Sequence, residues 1–191
     1  MNIIIDPTTM HPHLKHVIPN SVYFTLEQHE FIQMWNGGET KGNILAKYNI
    51  NIDLENKTIN HICNTGKKFD NMIFTMSLLS SEQVHQGPSY IKWLKLYSQL
   101  YDKYKEYVSG KIIIVDNHGG DYEPEVYLEK YNFHYDIILK RIYSNRNKHR
   151  YSNRTYSYPF IMDTNNDPIN ILVDPNKNII QTELSLKNKQ I

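Results

Sequence analysis

Between residues 71 and 143, short apolar runs alternate with amphipathic stretches, and this rhythm limits the possible folds more than any other feature of the chain. The runs are "NMIFTMSLL" at 71–79, "KIIIV" at 111–115 and "YDIILKRIY" at 135–143. Each is short and bounded by turn residues, as a buried strand requires. Between the first two lies "PSYIKWLKLYSQLYDKYKEYVSG", in which Ile91, Leu94, Tyr97, Tyr101, Tyr104 and Val108 recur every three or four residues and lysines fill the opposite face. Pro88 suits the first turn of such a helix and Gly110 its end. A shorter helix is expected in "EPEVYLEKYNF" at 123–133. Strand, helix, strand, helix, strand is the pattern of a parallel sheet covered on both faces, with Met72, Ile73, Phe74, Ile112, Ile113, Ile114, Val115, Ile137, Ile138 and Leu139 in its core.

The first half adds two short strands, "NIII" at 2–5 and "SVYF" at 21–24, and a helix from about 26 to 36 that starts near Thr25 and stops at Gly37 and Gly38. From Ile44 to Ile62, "ILAKYNINIDLENKTINHI" alternates apolar and polar residues around "ENK", which predicts an antiparallel hairpin. "SNRNKHRYSNRTYSYPF" at 144–160 is too polar to bury, and "INILVDPNKNIIQTELSL" predicts a final hairpin turning at "DPNKN". With no internal repeat and no linker, the 191 residues read as one α/β domain, Rossmann-like, with a mainly parallel sheet, flanking helices and an antiparallel hairpin in the first half.

Composition narrows the function. The formal net charge is +1, so no global field draws the chain toward nucleic acid or an anionic membrane. No apolar run approaches the roughly 20 residues of a membrane span, and the single cysteine, Cys63, has no internal disulfide partner. The N-terminus lacks a basic flank and a cleavage-site pattern, so a cytoplasmic location is expected. G-x-G-x-x-G, Walker and G-x-S-x-G motifs are absent, which demotes dinucleotide oxidoreductases, P-loop enzymes and serine hydrolases. No cofactor or metal is called for.

Ligands of parallel α/β sheets bind beyond the carboxyl ends of the strands. That rule selects the loop "DNHGGD", namely Asp116, Asn117, His118, Gly119, Gly120 and Asp121, together with Ser77, Ser80 and Ser81 after one strand and Lys140 and Arg141 after another. The glycines permit close backbone approach, Asp116, His118 or Asp121 can reach a sugar or an acceptor hydroxyl, and a Lys–Arg pair favours phosphate. The bland alternative makes the same loop a helix cap, with Asp121 and Glu123 near the positive end of a short helix. His11, His13 and His16 of "HPHLKH" offer a rival grouping, in which His11, His13, Asp116, His118 and Asp121 hold a metal that activates water for hydrolysis. A third reading is an interaction module whose basic, aromatic-interleaved stretch meets an anionic partner or nucleic acid through Arg146, Lys148, Arg150 and Arg154.

The order "KIIIVDNHGGD", short helix, "YDIILKR", basic stretch, "YPF" resembles the amino-terminal domain of two-domain, GT-B-like glycosyltransferases over about residues 70–162. In that group an apolar strand ending in Asp precedes D-x-x-[FL]-K-R, and a proline–aromatic motif follows. The matching residues are Asp116, then Asp136, Leu139, Lys140 and Arg141, then Tyr158, Pro159 and Phe160. The resemblance implies a domain that handles a nucleotide-sugar or a glycan acceptor. His118 or Asp116 would then be the base, Lys140 and Arg141 would offset phosphate charge, and Asn117, Gly119, Gly120 and Asp121 would line the substrate. Such enzymes use a second Rossmann-like domain for which 191 residues leave no room, and no D-x-D motif is present. The expectation is therefore the acceptor-side half of a larger enzyme working with a partner domain or subunit, or a relative without catalysis; a third possibility is a shared scaffold alone.

Overall fold

The structure is a computed structural model, described over residues 1–26, 40–76, 88–116, 124–140, 152–157, 171–173 and 180–182. Its centre is a six-stranded sheet built from β1 (Asn2–Ile5), β2 (Ser21–Phe24), β3 (Met72–Met76), β4 (Ile112–Asp116), β5 (Ile137–Lys140) and β6 (Thr155–Ser157). The order is β2-β1-β3-β4-β5-β6 and every pair is parallel.

A parallel sheet buried on both faces needs apolar side chains at successive positions, and β1, β3 and β4 supply them. Ile3, Ile5, Met72, Phe74, Met76, Ile114 and Ile138 join one core, while Ile4, Tyr23, Ile73, Ile113 and Val115 join the other. The first core is covered by α3 (Ile52–Asn64), α4 (Pro88–Lys105) and α5 (Pro124–Lys130) through Ile59, Ile62, Tyr97, Leu100, Tyr101, Tyr104 and Leu128. The second is covered by α1 (Leu14–Val17) and α2 (Lys41–Lys47) through Leu14 and Leu45, with Ile50 from the turn beyond α2. The chain is therefore doubly wound: it moves outward from β1 to β2 with α1 on one face, then outward from β3 to β6 with α4 and α5 on the other. The Rossmann-like α/β class, both short N-terminal strands, the three strands of the second half and both of its helices are as the sequence predicts.

Four local expectations turn out differently or fall elsewhere. No hairpin forms between Ile44 and Ile62; α2 and α3 occupy that stretch. Its alternation of Asn and Ile satisfies period two, but Ile44 with Leu45 and Ile59 with Ile62 also satisfy helical spacing. The caps decide between them. Thr40 accepts from the Asn43 N–H and Asn51 from the Leu54 N–H, both at 3.2 Å, while Asn49 turns the chain between the helices in a left-handed conformation. Residues 155–157, part of the stretch predicted too polar to bury, form β6 at the sheet edge, where one side of a strand stays polar. Gly110 does not end α4, which stops at Lys105; it lies where a Cβ would come within 2.0 Å of the Asp70 carbonyl oxygen. The helix expected over 26–36 lies almost wholly outside the described residues.

A separate antiparallel pair, β7 (Ile171–Val173) and β8 (Ile180–Thr182), forms the predicted C-terminal hairpin, in register Ile171 with Thr182. Among the described residues, no helix is long and apolar enough to cross a membrane.

Candidate functional site

The sheet order reverses at β1: the connection from β1 leads to β2 on one side, and the next strand, β3, returns to its other side. Loops on the two sides of such a switch point diverge to opposite faces and leave a crevice beyond the carboxyl ends. Among the described residues, most of the buried polar side chains gather at this edge. Asp6, Thr8, Thr9, His11, Thr25, Thr75, Asp116 and Lys140 are all buried there, within or just after strands whose other inward residues are apolar.

They form two groups on opposite faces. Strand alternation puts Asp116 and Lys140 on the face of Met76 and Ile138, and the register pairs Met76 with Asp116 and Asp116 with Lys140. Lys140 Nζ donates to Asp116 Oδ2 at 3.2 Å with both side chains fully buried. A buried ion pair persists only when each charge is compensated by its partner and by further polar contacts.

The second group surrounds Asp6, directly after β1. Its Oδ2 accepts from the Tyr23 hydroxyl at 2.5 Å and the His11 N–H at 2.6 Å. Its Oδ1 accepts from the Thr75 hydroxyl at 2.9 Å and from Thr8 Oγ1 and the Met10 N–H at 3.3 Å. Thr75 stands on β3 and Tyr23 on β2, so one carboxylate links three strands and the loop that follows β1. Burial, reinforced by the neighbouring Asp6 charge and hydrogen bond, pushes the Tyr23 hydroxyl well above its ordinary range. Thr9 adopts φ +56°, unusual for a β-branched residue, and its hydroxyl lies 2.6 Å from that of Thr25. Such a backbone is kept only where its surroundings over-determine it.

The residues selected from the sequence are distributed as follows. Asp116 and Lys140 meet at the predicted edge, whereas Asn117, His118, Gly119, Gly120, Asp121, Arg141, Ser77, Ser80, Ser81, Tyr158, Pro159 and Phe160 lie outside the described residues. Asp136, first residue of the D-x-x-L-K-R pattern, works at the opposite end: its carboxylate accepts from the Ile112 N–H at 2.7 Å and clips the start of β4 to β5. Of the three N-terminal histidines, His11 is buried with its ring edge-on to that of His13, 5.6 Å away, while His16 packs against Tyr48. Among the described residues, no three His, Cys, Asp or Glu side chains are grouped to hold a metal ion. Arg154, expected in a basic docking surface, spans the Tyr135 ring at 4.3 Å and donates to the Tyr135 carbonyl and hydroxyl. Cys63 lies on α3, half-buried, and burial raises its thiol despite the opposing pull of Lys103. A raised thiol is a poor nucleophile at neutral pH.

Sequence reasoning passed over Asp6. "DPTT" after "NIII" reads as a turn, yet the rule that singled out Asp116, an acid at the carboxyl end of an apolar strand, applies equally to Asp6.

Fold and edge together define a doubly wound α/β protein with buried polar side chains at the carboxyl edge beside its switch point. Comparison of the chain with protein-family models, with curated proteins and with solved structures gives no match.

Proposed function

We propose that the chain is a glycosyltransferase-like α/β domain that holds a nucleotide-sugar or a glycan acceptor at the carboxyl edge of its sheet. The observation that carries this reading is the concentration of fully buried Asp6, Thr75, Asp116 and Lys140 at the carboxyl ends of β1, β3, β4 and β5. Buried polar side chains cost stability unless they are paired, and such exceptions to an apolar interior concentrate at functional sites. Because Asp116 is engaged with Lys140, His118 becomes the base that would deprotonate an acceptor hydroxyl, and Arg141 the cation that would meet the donor phosphates. The motif order from Asp116 to Phe160 supports the narrower choice of a nucleotide-sugar.

The test is thermal unfolding of the full chain against a panel of nucleotides, nucleotide-sugars and divalent metals, since a ligand of the native state raises the melting temperature by mass action. Stabilisation by one nucleotide-sugar is expected, with His118→Ala abolishing transfer while the fold is kept. Stabilisation by a metal alone would move the reading to a hydrolase, and silence across the panel would reject ligand binding of this class.

A further inference from the structure

The five donors around Asp6 are two main-chain N–H groups, His11 and Met10, and three hydroxyls, Tyr23, Thr75 and Thr8. None is a cation, and among the described residues no lysine or arginine forms an ion pair with Asp6. Consecutive main-chain donors beside hydroxyls, at the end of a strand and at a switch point, are what a bound anion requires. Here the anion belongs to the chain itself.

We infer that Asp6 fills an anion cradle at the end of β1, so that the donors which would bind a phosphate there hold the chain's own carboxylate and phosphate is turned away from β1. The inference rests on the reading of the site given above. The phosphates of a nucleotide-sugar would then lie away from β1. Two physical effects favour this orientation. An incoming phosphate finds the donors already engaged, and it meets a like charge in surroundings of low dielectric. Burial, and after it the Asp6 charge and hydrogen bond, raise the Tyr23 hydroxyl.

Removing the carboxylate should leave the cradle intact and empty. In the full chain, Asp6→Ala is expected to melt well below wild type and to recover several degrees in sodium formate relative to sodium chloride at matched ionic strength. Asp6→Asn keeps the cradle filled by a neutral group and is expected to show no formate effect. Tyr23→Phe and Thr75→Val each remove one donor, and both should fold and melt below wild type. Equal behaviour of Asp6→Ala in formate and chloride, a formate response in Asp6→Asn, or donor variants as stable as wild type would overturn the inference. A wild type silent toward every nucleotide-sugar, beside an Asp6→Ala variant rescued by formate, would reject the proposed function and leave the Asp6 cradle standing.

Discussion

Asp116 and Lys140 are register partners on adjacent strands, 24 residues apart in sequence, and their side chains meet at 3.2 Å with no exposure to solvent. The pair ties β4 to β5 at the edge where the candidate loops begin, so it positions those loops whatever ligand they take.

Removing one partner takes away the buried countercharge of the other. Lys140→Met is expected to destabilise the protein by about 3–5 kcal/mol, while Asp116→Leu together with Lys140→Met should recover most of that loss. Urea denaturation of the two single variants and the double variant measures the coupling. Additive losses would show that the two side chains do not compensate each other.

At the opposite side of the sheet, β2 is an edge strand, and two of its outward backbone groups are capped. Lys15 Nζ donates to the Ser21 carbonyl, the Tyr23 N–H donates to Glu55 Oε2 at 2.8 Å, and Lys15 and Glu55 pair at 2.9 Å. An uncapped edge recruits further strands. Glu55→Ala should cost about 1–3 kcal/mol through the orphaned Tyr23 N–H, and Lys15→Ala with Glu55→Ala should self-associate as concentration rises. Light scattering over a dilution series reads the second effect.

Alkaline stability follows from the buried tyrosines. Burial lifts the Tyr104 hydroxyl to about 12 and the Tyr23 hydroxyl well above its ordinary value, burial again being the larger cause, whereas an unfolded tyrosine ionises near 10. Below pH 10 both states hold these protons and stability does not depend on them. Above pH 10 the unfolded chain releases them first, so stability falls as pH rises, for Tyr104 until about pH 12. Urea midpoints between pH 8 and pH 12 should be flat at first and then decline, and Tyr104→Phe should soften the decline.

Gly110 tests a contact that needs no side chain. Gly110→Ala drives a Cβ into the Asp70 carbonyl oxygen, a backbone atom that cannot swing aside, and is expected to cost about 1–3 kcal/mol. A melting temperature equal to wild type would mean that the segment joining α4 to β4 shifts freely.

Strands β1 to β5 and helices α4 and α5 are legible in the sequence because each carries its own local period, and the stripe through Tyr97, Tyr101 and Tyr104 is the buried face of α4. The stretch 44–62 fits two periods at once, and only the Thr40 and Asn51 caps and the packing of Ile59 and Ile62 select helix over strand. Half of the candidate site was legible in the same way, since Asp116 and Lys140 end apolar runs. Their pairing was not, because it depends on the register of β4 against β5.

The sequence by itself determined the alternation of elements, the burial of the sheet on both faces and the polar character of its carboxyl edge, all of which follow from side-chain periodicity over a few residues. Only the tertiary structure decided that β1 lies between β2 and β3, which brings Asp6 to Thr75 across 69 positions of sequence and gathers five donors on one carboxylate. The reason is physical: strand order depends on which distant faces can be buried together once the loops close, and no local pattern of residues encodes it.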